Sequence, residues 1–243
     1  MNILEKIEKG KFFLKNPAFS KWRKYEFDYQ QYLKFNQPWL TSYRFNSILD
    51  IGANVGQSAI ALSLAFPEAH VHSFEPIPDC YERLKMVTHM LPNATAHAYA
   101  LGSATGEVSF ERNAYSPSSS LLKITDKHIA HFPHTGSVTS TNVPVVKLDD
   151  YVDQLQLLDN TLIKIDVQGF EHEVIKGAEN TLRRCKVVIV ETSFETLYDK
   201  QPLFDEIYKA MSNLGFVYKG SFDQLQSPAT GQNLQQDAIF IKV

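Results

Sequence analysis

The chain has 243 residues, 44% hydrophobic and 21% charged, the make-up of a globular protein with room for one large α/β domain. Its formal net charge of -3 carries no basic excess, which argues against a nucleic-acid partner. Two cysteines, Cys80 and Cys185, cannot build a disulfide framework, and the longest apolar run, residues 59–66, is far shorter than the roughly 20 residues of a membrane span.

The opening MNILEKIEKGKFFLK mixes charge with apolar residues and shows no h-region or cleavage site, so no secretory signal is read and a cytoplasmic enzyme is expected. Residues 1–45 are rich in Lys, Phe, Tyr and Trp, with helical patches broken at Pro17 and Pro38. They read as an N-terminal helical extension that covers a cofactor site or makes a homodimer contact, ahead of a catalytic domain over 46–243.

From Ser47 the pattern becomes strand, turn, helix, repeated. Ser47-Ile-Leu-Asp-Ile is a strand, Gly52-Ala-Asn-Val-Gly a tight turn, and Gln57 to Phe66 a helix stopped by Pro67. His70 to Phe74 is a second strand, Pro78 to Met90 a helix with proline in its first turn, and Ala94 to Leu101 a third strand. Residues 106–112 and 142–149 alternate and are expected to pair, while the polar stretch 113–141 between them is a long, functional loop. Leu162 to Asp166 is a fourth strand, Phe170 to Arg184 a helix, Lys186 to Glu191 a fifth strand, and Pro202 to Leu214 a helix ending at Gly215. Residues 216–219 and 237–243 close the sheet. Strand–helix succession of this kind implies a parallel sheet with right-handed crossovers.

The first strand runs into Asp50-Ile-Gly52-Ala53-Asn54-Val-Gly56. Glycines at a sharp strand-to-helix turn let a ligand approach the backbone. The spacing is not G-x-G-x-x-G, and Asp50 at the strand end repels a pyrophosphate but suits the ammonium of a methionine moiety. The second strand ends in Phe74-Glu75-Pro76, and an acid about 20 residues past the glycine turn is placed to accept the hydroxyls of an adenosine ribose. Leu101, ending the third strand, is read as an apolar contact to the base.

These residues, with Ser118 to Leu122, Val146-Lys-Leu-Asp149 and Ile163-Lys-Ile-Asp-Val-Gln-Gly-Phe-Glu-His-Glu-Val-Ile-Lys-Gly-Ala178, resemble the FkbM family of class I, Rossmann-like methyltransferases over roughly residues 47–243. The resemblance implies a seven-stranded sheet with its last strand antiparallel. It implies S-adenosylmethionine as donor and O-methylation of a sugar or natural-product-like acceptor. It brings Ser119, within Ser118 to Ser120, toward the donor or acceptor. The chain departs from the family where Gln168 replaces a common Glu.

Methyl transfer is an in-line displacement that depends on positioning, helped by a base when the nucleophile is an alcohol. Strand four ends at Asp166, the first choice as base or as contact to the donor ammonium. Glu171 and His172 follow in the first helical turn as further catalytic candidates, and Glu191 ends strand five. Asp166, Glu171 and His172 also offer a ligand set for a divalent cation, an alternative to their catalytic roles, whereas His128, His131 and His134 have nothing to close a ligand set and are expected to be solvated loop residues. An NAD-dependent oxidoreductase and a non-catalytic cofactor-binding protein are the rival readings.

Overall fold

A computed structural model describes residues 3–113, 125, 138–158 and 160–243. Strands β1 (Ser47–Ile51), β2 (His70–Phe74) and β3 (Ala94–His97) pair in parallel, and β7 (Thr161–Ile165) pairs with β1 on its other side. β8 (Val187–Ser193) extends the parallel run, then β10 (Asn233–Lys242) inserts antiparallel between β8 and β9 (Phe216–Gln226). The order of the seven-stranded sheet is β3-β2-β1-β7-β8-β10-β9, with the last strand in sequence antiparallel to its neighbours.

Every residue of β1 and β7 is buried, as expected for central parallel strands covered on both faces. The pleat sends alternate residues to two cores. Ile48, Leu162, Val187 and Ile189 join one, whereas Leu49, Ile163, Val188 and Val190 join the other.

The first core also contains Phe12, Phe13, Trp22, Phe27 and Phe35. They come from helix α1 (Ile3–Lys15), a 3-10 helix (Pro17–Tyr25) and helix α2 (Tyr29–Phe35); a short α3 (Pro38–Thr41) follows. The N-terminal aromatics are therefore part of the main core. Pro17 and Pro38 each open a helix, where the missing N–H costs nothing.

Helices α4 (Gln57–Ala65) and α5 (Pro78–His89) make the first two crossovers. The expected third strand over 94–101 divides. The last bond of β3 is from Glu75 N to the His97 carbonyl, at 3.0 Å. Ala100–Leu101 then forms β4 in a separate three-stranded sheet, parallel to β6 (Val138–Val146), which pairs antiparallel with β5 (Gly106–Asn113). After α6 (Leu148–Leu155), the helix expected over 170–184 also divides, into α7 (Glu171–Lys176) and α8 (Glu179–Arg184). At Gly177 a Cβ would lie 1.9 Å from the Gly102 carbonyl oxygen, so the chain passes Gly102 backbone to backbone. Asp149 caps the second piece, accepting from Asn180 N, Thr181 N and Thr181 Oγ1 at 2.7–2.9 Å. Helix α9 (Phe204–Asn213) ends before Gly215, whose φ of +85° suits a residue without a Cβ. No helix among the described residues is long and apolar enough to cross a membrane.

On β2 and β3, His72 Nδ1 lies 3.2 Å from His97 Nε2, and His97 Nδ1 lies 3.3 Å from the Tyr151 hydroxyl. Burial, then the neighbouring imidazoles His70 and His97, push His72 down from 6.5 to about 3. The unfolded chain takes up this proton first, so the neutral His72 favours the folded state above pH 6.5 and that advantage is lost as pH falls toward 3. Urea titrations of the parent and His72→Phe should show the parent losing about 2 kcal/mol more between pH 6.5 and about pH 5. A difference between them that does not change with pH would remove the histidine pair from the acid response.

Candidate functional site

The glycine turn is built against the end of β7. Gly52 has φ +86°, and a Cβ there would sit 1.8 Å from the Asp166 carbonyl oxygen. Only glycine lets the two strand ends meet this closely. Gly52 N and Ala53 N donate to the Phe74 carbonyl at 3.1 and 2.9 Å, which ties the turn to the end of β2. Asn54 has φ +50° and donates its N–H to Glu75 Oε2 at 2.9 Å. Ile77 N donates to Glu75 Oε1, also at 2.9 Å.

Each Glu75 oxygen is thus fixed by one backbone donor and keeps a further lone pair. Burial pushes this carboxyl up to about 7, against the two N–H donors that lower it.

These residues line a cavity of about 500 Å³, a size that suits a small-molecule ligand. Its walls include Gly52, Ala53 and Asn54 from the turn, Glu75 and Pro76 from the end of β2, Leu101 from β4, and Asp166 from the end of β7. Gln57, Ser58, Ile77, Tyr99, Val167 and Gln168 join them, as do Lys9 and residues 26–31.

Asp166 Oδ2 pairs with Lys164 Nζ at 2.9 Å, and its Oδ1 accepts from Gln168 Nε2 at 2.8 Å. Burial would raise this carboxyl, but the Lys164 ammonium and the two hydrogen bonds outweigh it and hold it below its ordinary value. Lys164 is itself only 2% exposed in its side chain. Burial would lower it, yet the carboxylates Asp166, Asp50 and Asp237 keep it charged and raise it.

Gln168, at φ +56°, is the hub of a polar network. Its Nε2 also donates to both Glu191 oxygens at 3.1 Å, and Tyr198 donates its hydroxyl to Gln168 Oε1 at 2.8 Å. A neutral amide therefore bridges two acids. Burial, then the charges of Asp166, Glu171 and Asp237, push Glu191 well above the usual carboxylate range.

Asp50, Gly56, Glu171, His172 and Glu191, singled out from the sequence, are not brought to the cavity wall. Asp50 is fully buried between strands and accepts from Ser73 Oγ at 3.2 Å, while burial pushes it up to about 6 despite Lys164. Gly56 precedes α4 with φ +101°, packed against Val87 of α5. Glu171 is buried and accepts from Val167 N and Gly169 N at 3.1 Å each, which pins the turn after β7. Burial pushes Glu171 up to about 7. His172 is half-buried beside it. Ser118, Ser119, Ser120, His128, His131 and His134 lie outside the described residues. Among the described residues no group of three His, Cys, Asp or Glu side chains is arranged to hold a metal ion.

From the sequence the N-terminal extension is expected to cover a cofactor site or make a dimer contact, but none of residues 26–31 is singled out, because an aromatic, charged segment has no spacing that marks individual site residues. Gln57 and Ser58 follow the glycine turn directly and were within reach of that motif.

Residues 50–218 match the family model described as the Methyltransferase FkbM domain. Among relatives, the chain is 31% identical over 143 residues to the hexuronic acid methyltransferase AglP of Haloferax volcanii, covering 58% of this chain and 54% of the relative. It is 27% identical over 161 residues to the 2-O-methyltransferase NoeI of Sinorhizobium fredii, covering 63% of this chain and 66% of the relative. The chain thus spans between half and two thirds of the length of these relatives. A solved FkbM methyltransferase structure from Methylobacillus flagellatus superposes with a TM-score of 0.49 at 16% identity, covering 96% of this chain and 60% of that one.

Proposed function

The chain belongs to the FkbM methyltransferase-domain family, and from that premise we propose that it transfers a methyl group from S-adenosylmethionine to a hydroxyl of a sugar or small natural-product-like acceptor. The observation that carries this reading is Glu75. A buried carboxylate braced by two backbone N–H groups in a cavity wall offers its remaining lone pairs to a vicinal diol, which is the ribose of the donor. Leu101 lies along the base, and Gly52, Ala53 and Asn54 along the amino-acid end.

Asp166 stays ionised because of Lys164, so it is a weak base and a good partner for the donor's α-ammonium. Glu171 acts through the turn it pins and is a positioning residue. The acceptor's proton must leave as the new C–O bond forms, and Asp166 is the ionised strand-end acid in the cavity wall that can receive it; Glu191 is joined to the wall only through Gln168, and burial favours its protonated form. The two relatives, a hexuronic acid methyltransferase and a 2-O-methyltransferase, support a sugar hydroxyl as acceptor.

An NAD-dependent oxidoreductase would place a pyrophosphate against the glycine turn, where the Asp166 carboxylate repels it. Calorimetry should show S-adenosylhomocysteine binding and NADH not binding. Donor-dependent methylation of at least one member of a panel of hydroxylated sugars should follow. NADH binding with no heat from S-adenosylhomocysteine would overturn the proposal, and donor binding with no turnover across the panel would favour a non-catalytic binding protein.

A further inference from the structure

The family match begins at Asp50, so the helices before it carry no role from that match. They nonetheless supply Lys9 and residues 26–31 to the cavity wall. Helix α2 packs along α4, and α4 continues directly from the glycine turn, with Gln57 and Ser58 of its first turn also in the wall. Glu26 reaches the same place, where Gln57 Nε2 donates to its Oε2 at 3.4 Å and Arg83 to its Oε1 at 2.6 Å. The Asp28 side chain accepts from Gln30 N and Gln31 N at 2.9 and 3.1 Å, which fixes the Gln31 backbone beside the cavity.

The Gln31 Oε1 is buried in this wall with no hydrogen-bond partner among the described residues. Burial without a partner is unfavourable for a carbonyl oxygen, and a ligand donor would relieve it. The ribose end of the cavity is accounted for by Glu75 and Leu101. What remains at the end bounded by the glycine turn and α4 is the donor's zwitterionic amino acid. A carboxamide offers an acceptor for an ammonium and a donor for a carboxylate in one side chain.

Resting on the donor reading above, we infer that the Gln31 carboxamide binds the amino-acid head group of S-adenosylmethionine, so that the N-terminal helices are part of the donor site. The test is calorimetry with two probes on the full chain. S-adenosylhomocysteine carries the amino acid, whereas 5′-methylthioadenosine keeps the adenosine and lacks it. Gln31→Leu should weaken S-adenosylhomocysteine by on the order of tenfold and leave 5′-methylthioadenosine unchanged, the second result also showing that the variant is folded. Equal weakening of both probes, or unchanged S-adenosylhomocysteine affinity, would overturn the assignment. A parent protein that binds neither probe sinks the donor reading, and the inference with it.

Discussion

Glu75→Gln is expected to weaken S-adenosylhomocysteine binding by on the order of a hundredfold and to remove its dependence on pH near neutrality. In the parent, both Glu75 oxygens already accept backbone N–H groups, from Asn54 and Ile77. A glutamine keeps one acceptor oxygen, and its NH2 must face one of those N–H donors. The turn loses a bond and the ribose loses a charged acceptor. The pH effect has a definite sign. Burial pushes Glu75 from 4.5 up to about 7, so below that pH the carboxyl is protonated and presents a hydrogen where the diol needs a lone pair. Parent affinity should fall up to about tenfold per pH unit below 7 and level off above it. Stability runs the other way. A folded-state value above the unfolded one stabilises fully below pH 4.5, and that contribution is lost as pH rises through about 7. The ionised carboxylate that binds ligand best is the one the empty fold tolerates least. Affinity that stays flat across neutral pH in the parent would take Glu75 off the ribose.

The alternating strands and helices from Ser47 to Phe74 were legible because each step is local. An apolar strand, a glycine turn and a helix starting at Gln57 are written in consecutive residues, and the structure reproduces both strands with the same ends. Two elements were misread for the opposite reason. Residues 94–101 read as one uninterrupted strand, yet Ala100 and Leu101 pair with Val145 and Val146, some 45 positions away in the chain. Residues 170–184 keep a helical pattern through Gly177, and the break coincides with two long-range contacts, the approach of the Gly102 carbonyl and the Asp149 cap on the second helix. The site divides along the same line. Gly52, Glu75 and Asp166 follow the ends of β1, β2 and β7 on one edge of the seven-stranded sheet, and the rule that ligands sit beyond the carboxyl ends of parallel strands locates them, whereas Leu101 comes from β4 of the second sheet. Whether an acid such as Asp50 or Glu171 faces the cavity or the interior depends on the pleat and on one turn, which motif spacing does not encode. The N-terminal wall depends wholly on how α2 packs on α4, a long-range contact between segments with no shared signal.

Asp166→Asn is expected to cost both turnover and stability, and the two losses can be separated. The side chain lines the cavity and also neutralises Lys164, whose ammonium is 2.9 Å away and almost completely buried. An asparagine leaves that ammonium without its closest counter-charge. Breaking a buried pair by removing one partner costs about 3 kcal/mol or more, although Asp50 and Asp237 still favour the charged lysine and keep the loss near the lower end. The variant should therefore melt earlier than the parent while remaining folded at 25 °C. Turnover should fall by on the order of a hundredfold or more, because a charged contact to the donor is lost along with the fixed geometry of Gln168. The double variant Lys164→Met with Asp166→Asn removes both charges but leaves Asp50 and Asp237 buried without their cation, so only part of the lost stability should return. Its turnover should not, since nothing in the pair's removal restores an acid at the donor's ammonium. If the double variant regained activity together with stability, Asp166 would be a structural counter-ion alone; if the single variant kept activity within a few-fold of the parent after correction for the folded fraction, its contact with the donor would be refuted directly.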